Sequence, residues 1–223
     1  MSDVLKKIEQ AIYDGDGEAS VKLAVDAAKA GMDPNEIINQ GGVPGLERLG
    51  VDFDNMEVFL PELVVGGEAM TLMIEALVPY FALGEETFKG TVVIGCAKGD
   101  LHDIGKNLVA TQLAVNGFKV HDAGTDVAVN KFVDLAKEFD ADIIAVSSLL
   151  TTSAYYQDEL VKRLEIEGLR DKYKIIVGGG PITPDWTRKI KADGYSRTAH
   201  LAVDMCKELL KKAGALSEPL IYE

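Results

Sequence analysis

The segment Asp100-Leu101-His102-Asp103 sets an imidazole between two carboxylates where an apolar, β-branched run, "TVVIGCA" from Thr91, breaks into apolar residues at helical spacing from Ile104. That setting suits metal ligation. A histidine bound to a metal through one ring nitrogen commonly donates its other N–H to a carboxylate, which fixes the tautomer and raises the ligand's basicity. Asp100, two residues away on a turn, can be that carboxylate. No other His, Cys or carboxylate has the spacing to complete a multi-ligand protein site with His102, so a metal there brings most of its own ligands, as in a macrocyclic cofactor. By spacing alone a lone loop histidine near two aspartates is more often a helix-capping or solvated residue, and both readings stay open. His121, at a strand end, and His200, in a helix, have no comparable setting.

The elements that must position these residues follow from periodicity. Strands are predicted at Thr91 to Cys96, Lys119 to Asp122, Asp142 to Ser147 and Lys174 to Val177, with a weak fifth near Tyr195. Helical stretches at 104–116, 129–139, 153–168 and 184–191 separate them, and a last helix runs to about Ala213. Such alternation implies a doubly wound, flavodoxin-like parallel sheet with helices on both faces, whose ligands bind beyond the carboxyl ends of the strands. Four strand ends carry the unusual sequence: "KGDLHDIG", "AGTDV", "SSLLTTS" and "GGGPIT". Hydroxyls of Ser147, Thr151 and Ser153 can bond a large polar ligand there, and Gly178, Gly179 and Gly180 admit close approach. Neither G-x-G-x-x-G after the first strand nor G-x-x-x-x-G-K-[ST] occurs, which removes the usual support for NAD or ATP.

The first 83 residues differ, with apolar positions such as Leu5, Ile8 and Ile12 at three-and-four spacing and no convincing strand. "DGDGE" ends one helix, "AGMDPNE" a second, and "GVDFDNMEVFLPE" from Gly50 separates the third from the fourth, giving a four-helix bundle. The expected domains are residues 1–83, a linker at 84–90 and a sheet domain at 91–223. The 223 residues, 47% hydrophobic, suffice for two cores. A net charge of −13 argues against nucleic acid as partner. The N-terminus lacks the apolar core of a signal peptide and no run approaches the roughly 18 apolar residues of a membrane span. Two unpaired cysteines, Cys96 and Cys206, fit a reducing cytoplasm.

Together these segments resemble a family. Asp100 to Gly105, "DLHDIG", resembles the D-x-H-x-x-G signature of cobalamin-binding domains, Ser147 and Leu149 their S-x-L motif, and "VGGGP" their later GG motif. "LGVDFDNMEVFLPEL" looks like the cap of methylcobalamin-dependent methyltransferases, so the resemblance spans essentially the whole chain, as in the corrinoid protein of a three-component methyltransferase system.

The resemblance implies roles. His102 would be the lower axial cobalt ligand of base-off methylcobalamin, with Asp100 on its far nitrogen and Ser153 extending the relay, while Leu101, Asp103, Ile104 and Gly105 complete the binding loop. The displaced nucleotide tail would contact Ser147, Leu149 and Thr151 and pass Gly178, Gly179 and Gly180. Phe53, Leu60 and Leu63 would cover the cobalt-bound methyl group. The implied activity is methyl carriage: Co(I) accepts a methyl group from a substrate-specific methyltransferase, and a second methyltransferase moves it to tetrahydrofolate or a thiol, with a reductive activator as third partner. Demethylation of aryl methyl ethers is one such use. Other classes sharing the motif are the cobalamin subunit of an adenosylcobalamin mutase, against which the helical half argues, and a cobalamin-dependent sensor.

Overall fold

The computed structural model describes residues 3–81 and 89–223, in two compact units that divide between Ala82 and Leu83. The linker expected at 84–90 lies outside the described residues up to residue 88, and Gly90 already belongs to the first strand.

The first unit is helical. α1 (Asp3–Tyr13) buries Leu5, Ile8 and Ile12, the stripe that its spacing predicts. α2 (Gly17–Lys29) starts where the Asp16 carboxylate accepts from the Ala19 N–H. α3 (Pro34–Ile37) continues through a π-helical turn (Ile38–Gly42) into α4 (Val43–Asp54) without leaving helical backbone. Pro44 lacks an N–H for the regular ladder, and the wider turn absorbs that loss. α5 (Leu60–Leu77) opens with Pro61 in its first turn and Glu62 accepting from the Phe59 N–H.

One boundary needs correction, because α4 does not stop at Gly50 and carries Val51, Asp52 and Phe53 in helix. The Tyr13 hydroxyl, donating to Asp52 at 2.7 Å, and Arg48, paired with Glu9 at 3.1 Å, tie its last turns to α1. The membrane reading is also corrected in part: Leu60–Tyr80, with mean hydropathy 1.4, is the one helix among the described residues that meets the length and composition of a span. Glu62, Glu68 and Glu75 interrupt its apolar run, and one face, including Met70, Met73 and Leu77, is bundle core.

The second unit is a six-stranded parallel sheet in the order β2-β1-β3-β4-β5-β6, formed by β1 (Gly90–Cys96), β2 (Phe118–Asp122), β3 (Ile143–Ser147), β4 (Lys174–Gly178), β5 (Gly194–Ser196) and β6 (Leu220–Tyr222). α6 (Ile104–Val115) and α10 (Ala199–Leu209) pack on Val92, Ile94, Ile143, Ala145 and Ile176. α7 (Val129–Glu138), α8 (Thr151–Ile166) and α9 (Pro184–Ile190) pack on Val93, Ile144, Val146, Ile175 and Val177 on the other face. The alternate residues of each strand thus feed two cores, which is why the strands read as continuous apolar runs. Strand order reverses between β1 and β3, and there Cys96 lies level with Ser147 and Ser147 with Gly178. That reversal is the switch point where a ligand crevice forms. β6 is absent from the sequence reading because three residues carry no measurable period.

Candidate functional site

After β1 the chain turns through Gly99 at φ +79°, and the Asp100 N–H closes back on Ala97 O at 3.0 Å. This delivers the Asp100 side chain into the gap between β1 and β3, where it is fully buried. A buried carboxylate survives only with donors around it, and Asp100 has five. Its Oδ1 accepts from the His102 N–H at 3.1 Å and lies 2.8 Å from His102 Nδ1. Its Oδ2 accepts from the Leu149 N–H at 2.7 Å, the Leu150 N–H at 3.1 Å and the Ser153 hydroxyl at 2.6 Å. Burial alone would push the Asp100 carboxyl up, but the donors from Ser153, His102 and Leu149 hold it well below the usual carboxylate range.

An ionised Asp100 settles the imidazole. Nδ1 must carry the proton that Oδ1 accepts, so Nε2 keeps its lone pair. No hydrogen-bond partner among the described residues engages Nε2, and about half of the His102 side-chain surface is open. The Cys96 thiol donates to the His102 carbonyl at 3.3 Å and underpins the loop, while burial pushes that thiol up to about 12, which makes it a structural group.

The remaining expected residues of the sheet unit lie at the ends of β1, β3 and β4 or on the segments just beyond them. Leu101 is exposed, Asp103 precedes α6 with its carboxylate accepting from the Asn107 side chain at 3.1 Å, and Ile104 is half-buried. A Cβ at Gly105 or at Gly178 would meet nothing within 4 Å, so both leave open space on the rim. Ser147 ends β3, Leu149 projects with 47% of its surface exposed, and Thr151 begins α8 in the open. Gly179 is small for a reason internal to the protein, since at φ +120° a Cβ there would sit 1.8 Å from Ser148 O, whereas a Gly180 Cβ would meet only the movable end of the exposed Leu149 side chain, Cδ1 at 2.9 Å. Phe53, Leu60 and Leu63 belong to the helical unit, where Phe53 and Leu60 are exposed and Leu63 half-buried, so none is bundle core.

Two features escaped the sequence. Lys106, one turn after His102, is buried and ion-paired with Asp122 at the end of β2. Asp126, in the loop after β2, donates its N–H to Asp100 O at 2.9 Å. Both contacts join segments that are remote in sequence, and only the paired register of β1 and β2 brings them together.

Among the described residues no three His, Cys, Asp or Glu side chains gather into a metal cluster. The donor set is one imidazole with a preset tautomer on an open, glycine-flanked rim. It fits a cobalt corrinoid, whose ring supplies the equatorial ligands, and it does not fit a bare ion.

Residues 90–204 match the B12 binding domain family, and residues 4–77 match a second family of the same description. The chain belongs to the B12-binding proteins. It is 42% identical over 209 residues to dimethylamine corrinoid protein 1 of Methanosarcina mazei, covering 93% of this chain and 96% of that one. The structure of the Methanosarcina barkeri monomethylamine corrinoid protein superposes with a TM-score of 0.86 at 33% identity, covering 93% of this chain and 98% of that one. The Methanosarcina barkeri methanol:cobalamin methyltransferase complex gives 0.55 at 26% identity, covering 96% and 82%. Helical unit and parallel sheet are therefore those of a corrinoid protein, and this B12-binding protein takes cobalamin as its cofactor.

Proposed function

We propose that the protein is the methyl carrier of a corrinoid-dependent methyltransferase system, with His102 as the lower axial ligand of cobalamin held base-off. The observation that carries this is the chain Ser153 Oγ–H, Asp100 carboxylate, His102 Nδ1–H at the β1/β3 switch point. Bound cobalamin supplies a cobalt centre that takes up and releases a methyl group, and the protein's own groups tune it. Asp100 keeps the proton on Nδ1, holds the ring in one orientation and raises the basicity of Nε2. Ser153 and the two backbone N–H groups of Leu149 and Leu150 share the carboxylate charge, which keeps Asp100 from taking the proton itself. The N-terminus of α8 at Thr151 lies beside the same carboxylate and favours its charge.

Two further assignments accompany this reading. The open space at Gly178, with Ser147, Leu149 and Thr151, suits the displaced nucleotide tail. Phe53, Leu60 and Leu63 suit an apolar cover for the methyl group, supported by their standing outside the bundle core. The partners are a substrate-specific methyltransferase, a second methyltransferase and a reductive activator, and the kinship with a methanol:cobalamin methyltransferase complex supports the first of these. The named relatives favour a methylated amine as donor ahead of an aryl methyl ether. The reading places the protein in the cytoplasm.

The test is stoichiometric. Protein loaded with cobalamin and reduced should take up one methyl group per chain from a methylated amine when the cognate methyltransferase is present, and release it to a thiol through the second enzyme. A protein that stably binds only the adenosyl form and takes up no methyl group would overturn the reading.

A further inference from the structure

Among the described residues four that are not glycine adopt positive φ: Met56, Asp126, Asp140 and Lys191. Three have a local cause, because Met56 follows the C-cap Asn55 of α4, Asp140 follows the C-cap of α7 and Lys191 is the C-cap of α9, where helices ordinarily end left-handed. Asp126, at φ +53°, is at no helix end. It lies in the loop between β2 and α7, where an aspartate holds a left-handed backbone when its short side chain finds local hydrogen bonds.

Its hydrogen bonds are to the loop that carries His102. The Asp126 N–H donates to Asp100 O at 2.9 Å, and the Asp126 Oδ1 accepts from the Gly99 N–H at 2.8 Å. One residue therefore grips both sides of the Gly99–Asp100 peptide, and the left-handed backbone is what lets its N–H and its own carboxylate reach the same turn. On the neighbouring residues, Val127 N–H donates to Cys96 O at 3.0 Å and Cys96 N–H to Gly124 O at 2.9 Å, which anchors the grip to β1. Lys98 Nζ pairs with the same carboxylate at 2.8 Å, but that pair is nearly half exposed and contributes little.

We propose that Asp126 is a positioning residue for the axial ligand. By fixing the Gly99–Asp100 turn from outside, it sets where the Asp100 carboxylate stands and thereby the direction of His102 Nε2. This rests on the reading of His102 as cobalt ligand. It gives the "AGTDV" loop a role that neither the cofactor's motifs nor the core explains.

The substitution Asp126→Gly isolates the effect, because glycine adopts φ +53° freely, keeps the N–H to Asp100 O and loses only the carboxylate. Asp126→Asn is the rescue, since its amide oxygen still accepts from Gly99. Full-length protein is loaded with cobalamin, reduced to Co(II), and the share of cobalt bearing a histidine nitrogen is read by electron paramagnetic resonance on 15N-histidine-labelled samples. Asp126→Gly is expected to weaken histidine ligation about 10-fold at near-normal cobalamin content, as loss of an outer-shell partner does, with Asp126→Asn close to wild type. Lys98→Met, which removes only the exposed pair, is expected to keep the wild-type signal. A glycine variant with wild-type ligation, an asparagine variant no better than glycine, or a glycine variant that fails to fold where asparagine folds would each overturn the role. Wild-type protein lacking a histidine nitrogen on cobalt would instead overturn the ligand assignment itself.

Discussion

Asp100→Asn separates the electrostatic role of the carboxylate from its shape. The site presents donors on both sides: Leu149 N–H, Leu150 N–H and Ser153 Oγ on one, and His102 N–H with Nδ1 on the other. An amide has only one acceptor oxygen. Turned toward His102, it would leave two buried backbone N–H groups facing an NH2 group, so it turns toward Leu149, Leu150 and Ser153. The NH2 group then meets the His102 N–H, one donor is left unpaired, and the cost is about 1–3 kcal/mol of stability. It also meets Nδ1, which can now only accept, so the proton moves to Nε2 and the ligating lone pair is lost. The expected result is a folded protein with a lower urea midpoint at unchanged slope, whose 15N-histidine NMR spectrum shows His102 in the Nε2–H form and whose bound cobalamin lacks a histidine nitrogen. A variant of wild-type stability, with Nδ1 still protonated and histidine still on cobalt, would refute the reasoning.

The glycines give a contrast. Gly179→Ala must push a Cβ into Ser148 O at a φ that suits only glycine, and should cost roughly 3 kcal/mol or more in urea unfolding, whereas Gly178→Ala enters open space, should leave stability within about 0.5 kcal/mol and should weaken cobalamin retention, read by gel filtration of loaded protein. Acid should act through Asp100. Its carboxyl is lowered on folding, so its stabilisation is full above the ordinary value of about 3.9 and is lost as pH falls below that toward the depressed folded value. The stability gap between wild type and Asp100→Asn should therefore close below about pH 4, as the carboxyl takes up its proton. Cys96 and Cys206, both buried and pushed up to about 12, should stay unmodified by iodoacetamide at pH 8 in native protein and react on unfolding, as mass spectrometry will show.

What the sequence made legible was local. Asp100 and His102 are two residues apart, so their pairing needs one turn and no long-range information. The strands of the central sheet are uniform apolar runs bounded by glycine and polar residues, and their ends announced the rim. The parts that stayed hidden depend on contacts across the chain. Gly50 to Phe53 looks like punctuation, yet Tyr13 and Glu9 hold α4 in helix through it. Thr151 looked like loop, but α8 begins there because Asp100 satisfies the N–H groups of Leu149 and Leu150 just before it. Lys106 with Asp122, and Asp126 with Gly99, meet only because β2 pairs with β1. The glycines after β4 were visible as a motif, but that Gly179 is required by Ser148 O is a fact of packing.

The central claim is that His102 Nε2 is the axial ligand, and the magnetic signature of reduced cobalamin in 15N-histidine-labelled protein tests it most directly. The chain's other two histidines are His121, stacked on Phe139 at 3.6 Å, and His200 in the first turn of α10, so the loss of a labelled nitrogen in His102→Ala is what identifies the ligand. The account predicts that the nitrogen hyperfine pattern changes from that of 14N to that of 15N on labelling, and that His102→Ala removes it. A pattern unchanged by the label, carried by the cofactor's own benzimidazole, would contradict the account.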